Sequence, residues 1–119
     1  MNDITRIKTN PRRGRAVAYN GVLYLGGQVA DNWDGDIVAQ TREALAKIDK
    51  VLAEAGTDKS RLLNVQIWLK DIGRDFAGMN EAWDGWIDVE AAPARATAQC
   101  ELGAPAILIE IIVQAALPA

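Results

Sequence analysis

The sequence predicts one α+β domain in which a mixed β-sheet carries two helices on one of its faces. Short segments in which apolar and polar residues alternate indicate strands, and two longer segments with apolar residues three or four positions apart indicate helices. No Pro- or Ser-rich linker, repeat or low-complexity tract divides the 119 residues, half of which are hydrophobic. We therefore expect a single domain over residues 1–119, with the order β-β-α-β-α-β-β.

The clearest local signal is Asn20-Gly21, which lies between the apolar segments 16–20 and 22–26. Asn and Gly tolerate the positive φ angles that a two-residue turn requires, so the pattern predicts a β-hairpin. A further short strand over residues 4–8 would precede this hairpin.

Two segments have helical periodicity. Residues 37–55 carry apolar residues at three- and four-residue spacing, with Asp36 as the N-cap and Gly56 just past the end. A second helix is expected over residues 75–88, beginning near Asp71 or Asp75. The residues expected on its apolar side are Phe76, Met79, Trp83, Trp86 and Ile87.

Three strands complete the predicted sheet. Residues 62–70 alternate with period two, which places Leu63, Val65, Ile67 and Leu69 on one face. Residues 94–100 and 107–115 indicate two more strands, joined by ELGAPA. We expect these last two strands to pair as a hairpin centred on Gly103-Ala104.

The composition excludes several kinds of chemistry. The chain has no His and one Cys, which removes His-based triads, Cys/His zinc sites and CxxC redox motifs. Any chemistry must therefore use carboxylates, Arg, Lys, Tyr, hydroxyls, backbone groups or water. With 13 basic against 16 acidic residues, nucleic acid is not an expected partner. No apolar run approaches the roughly 20 residues of a membrane span, and the first residues contain no apolar leader segment. We expect a cytoplasmic protein with no membrane association.

Glu110 is the most informative position because it interrupts an apolar strand, where an unpaired carboxylate is costly. In the predicted hairpin, Glu110 lies opposite Thr97 and diagonal to Arg95, so the three share one face. That face also carries Leu108, Ile112 and Gln114, too much apolar surface to leave in water. A second subunit is therefore expected to cover it.

The opposite face of the strand at 94–100 is small and apolar, with Ala96, Ala98 and Cys100. We expect this face to pack beneath the helices, which would make Cys100 an inert core thiol. Trp68, on the polar face of its strand, is either an interface residue or a ligand contact.

An Arg and a Glu at a subunit interface can perform chemistry. A guanidinium binds a substrate carboxylate through two parallel hydrogen bonds, while a nearby carboxylate holds and polarises a water molecule. The pair would suit hydrolysis of a small carboxylic acid. The spacing alone favours the simpler alternative, in which Arg95 and Glu110 form a buried ion pair that fixes the interface.

Four segments in register resemble one known family, the YjgF/RidA reactive-intermediate deaminases. The segment APARATAQCELGAPAILIEI is similar to the family's C-terminal signature, in which an x-P-x-R-[ST]-x stretch precedes an I-E-I strand. Residues 21–29 are similar to its N-G-x-x-[YF]-x-S-G-Q stretch, and residues 65–71 and 75–83 to its central strand and second helix. The resemblance implies a chorismate-mutase-like subunit, assembled as a homotrimer around a central barrel with clefts between subunits.

The resemblance also implies an activity, the hydrolysis of 2-imino acids or their enamine tautomers to 2-oxo acids and ammonia, without a metal and without an organic cofactor. The family's carboxylate-binding arginine matches Arg95, and its water-positioning glutamate matches Glu110. Thr97 stands where a cysteine is often found, and Gly26 where the family has a serine. Arg13 aligns near the family's N-terminal tyrosine and would add a second carboxylate contact. A second glutamate of the family is replaced here by Ile112.

These departures leave a second function open. The same arginine cleft would serve a non-catalytic module that binds 2-oxo acids or other small carboxylic acids and regulates a partner.

Overall fold

The computed structural model describes residues 3–119, which form six strands, two α-helices and one 3₁₀ turn. In chain order these are β1 (Thr5–Ile7), β2 (Ala16–Tyr19), β3 (Val22–Leu25), α1 (Ile37–Glu54), the 3₁₀ turn (Lys59–Arg61), β4 (Leu62–Leu69), α2 (Ile72–Asp84), β5 (Ala94–Gln99) and β6 (Ile109–Ala116). The α+β class and the element order agree with the sequence prediction, including the short first strand.

All six strands belong to one mixed sheet with the order β1-β2-β3-β6-β4-β5. Only β4 and β5 are parallel, and the other neighbours are antiparallel. The predicted hairpin between the last two strands is wrong, because β4 lies between β5 and β6. The β4–α2–β5 crossover makes β5 parallel to β4 at the sheet edge, and the almost wholly apolar β6 takes a central position.

The first hairpin forms as predicted. Asn20 and Gly21 have φ angles of 52° and 78°, the left-handed values of a type I′ turn, and Tyr19 pairs with Val22 directly before it.

A β-bulge near the start of β4 changes which leucine is buried. The pairing with β6 shifts between Leu62 and Asn64, so Leu62 faces the core and Leu63 is 47% exposed. The prediction that Leu63 shares a face with Val65 is therefore wrong, whereas Val65, Ile67 and Leu69 are buried together as expected.

Both helices begin at an aspartate N-cap. The Asp36 side chain accepts a hydrogen bond from the Ala39 N–H, and the Asp71 side chain accepts one from the Arg74 N–H. Of the two predicted starts for α2, Asp71 is the cap, and the helix ends at Asp84, before the predicted boundary at residue 88. No helix within residues 3–119 is both long enough and apolar enough to cross a membrane.

α1 ends in a Schellman motif. The N–H of Gly56 donates to the Ala53 carbonyl and that of Thr57 to the Leu52 carbonyl. Gly56 has a φ of 84°, which explains the glycine at this position.

The two helices pack against each other and against one face of the sheet. Gly78 in α2 allows this approach, since a Cβ there would lie 2.6 Å from Cγ2 of Ile37. The core consists of the side chains between the helices and this face of the sheet. The other face, called the open face below, carries Val17, Tyr24, Trp68, Ala96, Ala98, Glu110, Ile112 and Gln114.

One buried polar side chain joins three parts of the chain. Gln40 of α1 is 1% exposed, and its Nε2 donates to the carbonyls of Trp33, Gly35 and Ala106 at 3.0–3.2 Å. Its Oε1 accepts from the Leu108 N–H at 3.0 Å. The amide therefore fastens the loop before α1 and the loop before β6 to the core.

Replacing this amide with an apolar side chain of similar size should destabilise the fold. Gln40→Leu leaves one N–H and three carbonyls without this partner, and we expect the free energy of unfolding to fall by about 3 kcal/mol or more. Urea denaturation followed by circular dichroism measures the change.

The neighbouring Thr41 provides a matched control. It is fully buried, and its Oγ1 has no hydrogen-bond partner among residues 3–119. Thr41→Val removes this hydroxyl while preserving shape, so stability should stay constant or rise by about 1 kcal/mol. A Gln40→Leu variant as stable as Thr41→Val would contradict the role assigned to Gln40.

Candidate active site

Arg95 lies on β5 and faces the helix layer. It pairs with the buried Val65 of β4, and paired residues of neighbouring strands point to the same side of a sheet. Its Nη1 donates to Oδ1 of Asn80 at 2.8 Å, and the guanidinium carbon lies 5.2 Å from the ring centroid of Trp83. Two side chains of α2 thus orient the guanidinium, the second through a cation–π contact.

The Arg95 charge is available to a ligand. Arg95 is half-buried and forms no salt bridge within residues 3–119. Thr97 is also half-buried and lies on the same side of β5. A guanidinium that is held in place without a carboxylate partner is suited to bind an anion.

Glu110 lies on the open face of β6, where it pairs with Trp68 of β4. Its carboxylate lies against Gly27, at which an added Cβ would come 2.0 Å from Oε2. The side chain is half-buried and accepts no hydrogen bond from residues 3–119. Only a glycine at position 27 leaves room for the carboxylate in this orientation.

Backbone hydrogen bonds hold the loop that contains Gly27, both before and after this residue. Gln28 and Ile111 exchange two N–H to carbonyl hydrogen bonds at 2.9 Å, and the Gly26 N–H donates to the Arg15 carbonyl at 2.9 Å. The buried Gln28 side chain donates from Nε2 to the Gly26 carbonyl at 3.1 Å. These bonds place Gly26 and Gly27 beside Glu110.

The following segment is tied to α1. Nζ of Lys47 donates to the Val29 carbonyl at 2.9 Å and to Oδ1 of Asp31 at 2.8 Å, and Oε1 of Glu43 accepts from the N–H groups of Asp31 and Asn32. The hydrogen bond from Lys47 lowers the pKa of the Asp31 carboxyl. The loop beside Glu110 is therefore anchored to α1 at its C-terminal end.

Arg95 and Glu110 do not share a face, contrary to the sequence prediction. Trp68 pairs with Glu110 on one side and with Ala98 on the other, so Glu110 belongs with Ala96 and Ala98 on the open face. Arg95 points to the helix side, and its strand β5 lies about 10 Å from β6 because β4 is between them. One chain therefore does not bring the two residues together.

The same register corrects the prediction for the face of β5 that carries small apolar side chains. Ala96 and Ala98 are exposed on the open face and do not pack beneath the helices. Cys100 is half-exposed, follows the end of β5, and lines a cavity of about 480 Å³ with Lys70 and Pro105. It is therefore not the core thiol that the sequence predicted.

Arg13 is exposed and lies in the loop between β1 and β2, at one edge of the sheet. Oδ1 of Asn10 accepts hydrogen bonds from the N–H groups of Arg12 and Arg13, and the Asn10 N–H donates to the Arg13 carbonyl. These contacts involve the backbone of Arg13. No group of three or more His, Cys, Asp or Glu side chains in residues 3–119 is arranged to hold a metal.

Sequence reasoning missed three residues that contact the predicted pair. The sequence places Trp83 on the apolar side of the second helix, and Asn80 and Gly27 lie in the segments that resemble the family, but the patterns give none of the three a role in the site. Asn80 and Trp83 are three positions apart on α2, a spacing that places them on one side of a helix. That signal was present, but the sequence does not show that β5 lies beside this part of α2.

The contact between Gly27 and Glu110 predicts a contrast between two neighbouring glycines. Gly27→Ala places a methyl group on the carboxylate and should displace the Glu110 side chain, which a crystal structure of the variant would show. At Gly26 the nearest atom to an added Cβ is the Arg15 carbonyl oxygen at 3.5 Å, so Gly26→Ala should leave Glu110 in place. An unmoved carboxylate in Gly27→Ala would contradict this geometry.

Comparison with known proteins identifies the family. Residues 4–117 match the family model described as endoribonuclease L-PSP. YoaB, a RutC family protein of Escherichia coli K12, is 42% identical over 114 residues, which cover 96% of this chain and 98% of YoaB.

Solved structures agree. A YjgF family protein from Neisseria meningitidis is 39% identical with a TM-score of 0.94, covering 98% of this chain and 97% of that one. A Rid family protein from Yersinia pestis is 28% identical with a TM-score of 0.88, covering 97% and 100%. The chain belongs to the endoribonuclease L-PSP family of YjgF and RutC proteins, which confirms the family resemblance found in the sequence.

Proposed function

We propose that this family member hydrolyses small 2-imino acids, or their enamine tautomers, to 2-oxo acids and ammonia. The observation that carries the proposal is Arg95, a half-buried guanidinium that Asn80 and Trp83 orient and that has no salt-bridge partner within residues 3–119. Such a group is suited to hold the carboxylate of a small acid.

The proposed site lies between copies of the chain in a homotrimer. Arg95 is on the edge strand β5, whereas Glu110 is on the open face beside Gly27, so a site that contains both needs Arg95 from one copy and Glu110 from the next. The apolar side chains of the open face, such as Tyr24 and Ile112, support this assembly because a neighbouring copy would cover them.

In the proposed reaction, Arg95 binds the substrate carboxylate through the donors that Asn80 leaves free. A water molecule held by Glu110 attacks C2, forming a C–O bond while the electrons of the C=N bond move to nitrogen. Glu110 accepts a proton from the water and passes it to the nitrogen, which completes a neutral carbinolamine. Glu110 then takes the proton of the carbinolamine hydroxyl and delivers it to the amino group. The C–N bond breaks as an electron pair of the oxygen forms the C=O bond, so ammonia leaves and the 2-oxo acid remains.

Three further residues belong to the proposal. Thr97 lies on the Arg95 side of β5, and Gly26 lies in the loop beside Glu110, so each would contribute to one half of the cleft. Arg13, which is exposed, would provide a second carboxylate contact and extend the site toward acids with two carboxylates. Positioning of water and substrate is enough for an imine, which hydrolyses readily without help.

Removal of the guanidinium should abolish most of the catalysis. We expect Arg95→Ala to lower kcat/KM by about a hundredfold, the loss of a charge-assisted hydrogen-bond pair to substrate. The assay generates the imino acid in place with an amino-acid oxidase and measures the appearance of 2-oxo acid above the uncatalysed rate.

Arg12→Ala is the matched control, since it removes an equal charge at an exposed position and should leave the rate unchanged. Equal rates for Arg95→Ala and wild type would rule the proposal out.

The alternative function, a non-catalytic acid-binding module, predicts a different result. Wild-type protein would then be stabilised thermally by 2-oxo acids, and Arg95→Ala would lose this shift, with no turnover in either.

A mixing experiment tests whether the site is shared. Arg95→Ala and Glu110→Gln trimers are each expected to be inactive, and each should sediment as a trimer. When equal amounts are unfolded and refolded together, about a quarter of the sites combine an intact Arg95 with an intact Glu110 from another copy. Activity should therefore return to about a quarter of the wild-type value.

A site built within one chain would remain inactive in every mixture, so failure to regain activity would contradict the shared site. Refolded wild-type protein carried through the same procedure corrects for losses in recovery.

A further inference from the structure

A groove on the helix side of the molecule lies apart from the proposed active site. Its volume is about 300 Å³, and it opens between α1, the 3₁₀ turn and the C-terminal end of α2. The residues that line it are Arg42, Leu45, Lys59, Ala82, Gly85 and Trp86. It includes none of the residues assigned to imine hydrolysis.

The aromatic wall of the groove is held in one orientation. Nε1 of Trp86 donates to Oδ2 of Asp49 at 2.8 Å, and the ring packs against Trp83 with centroids 5.6 Å apart. Leu45 and Ala82 close the groove from below but are only 1% and 3% exposed, so the half-buried Trp86 ring is its main apolar surface. The groove therefore offers a preformed aromatic wall to a flat apolar group.

Two cations lie at this apolar surface. Nζ of the half-buried Lys59 is 5.1 Å from the Trp86 ring centroid, and Arg42 reaches the groove from α1. Neither forms a salt bridge within residues 3–119. A cation–π contact attracts an ammonium but does not neutralise it. The Asp49 carboxylate, which accepts the indole N–H, keeps its negative charge but is not within salt-bridge distance of either cation. The groove thus places two cations without a salt-bridge partner beside an aromatic wall.

We propose that this groove binds a small carboxylic acid with a flat apolar body. Its carboxylate lies between Arg42 and Lys59, and its ring lies in the groove against Trp86. An inorganic anion would leave the aromatic wall uncovered, and a neutral ring would leave both cations without a partner. The volume is at the lower end of the range for ligand sites, which suits an acid with a single ring.

The test uses benzoate as the probe and benzamide as its neutral counterpart of the same shape. In a ¹H–¹⁵N NMR titration, the Trp86 indole N–H reports on the groove, and Trp86→Phe assigns its signal. We expect benzoate to shift this signal in a saturable way and benzamide to leave it unchanged. Arg42→Ala and Lys59→Ala should each weaken benzoate binding about tenfold, as expected for one lost charge contact.

Two controls separate the groove from other sites. Arg12→Ala makes the same change in net charge at a distance and should leave benzoate affinity unchanged. Arg95→Lys keeps a cation near Trp83 but weakens carboxylate binding at the proposed active site, and it should also leave the affinity unchanged.

Three outcomes would overturn the proposal. They are the absence of a saturable shift at tens of millimolar benzoate, equal binding of benzamide, and loss of the shift in Arg95→Lys with retention in Arg42→Ala. The last would place benzoate at Arg95. The imine assay is independent of these readouts, so failure of the groove would not affect the proposed hydrolysis.

Discussion

The position of β4 between β5 and β6 decides where both proposed catalytic side chains point. β4 fixes the register of both of its neighbours. Trp68 pairs with Ala98 of the parallel strand β5 and with Glu110 of the antiparallel strand β6. Side chains alternate between the faces of a strand, so this register places Glu110 on the open face and Arg95 on the helix side. If β5 shifted by one residue against β4, Arg95 would point to the open face, and a similar shift of β6 would turn Glu110 to the helix side.

The two halves of the proposed site are supported by different elements. Arg95 depends on α2, which supplies Asn80 and Trp83, whereas Glu110 depends on the loop beside β6, where Gly27 leaves space for the carboxylate. Each half is held by contacts within its own chain, so an assembled site would need little rearrangement. The proposed homotrimer would then align two preformed halves.

The helix layer also connects the proposed site to the cationic groove. Arg95, Trp83, Trp86 and Lys59 follow one another in cation–π and aromatic contacts, with neighbouring groups 5.1–5.6 Å apart. The row orients Arg95 at one end and Lys59 at the other. Both ends present a positive charge next to an aromatic ring, which explains why small carboxylic acids are the expected ligands at each.

Local patterns in the sequence determined the elements of this protein, because turns, caps and periodicity depend on near neighbours. Asn20-Gly21, the Asp36 and Asp71 caps and the apolar stripe of α1 were all readable in this way, and the motifs around Arg95 and Glu110 indicated the family. Strand pairing depends on residues far apart in the chain, so only the tertiary structure showed that β4 separates β5 from β6. The sequence therefore identified Arg95 and Glu110 as candidates but placed them on one face, because it could not show that β5 is parallel to β4. The bulge that exposes Leu63 and the packing of α2 on Arg95 were likewise decided by contacts between distant segments.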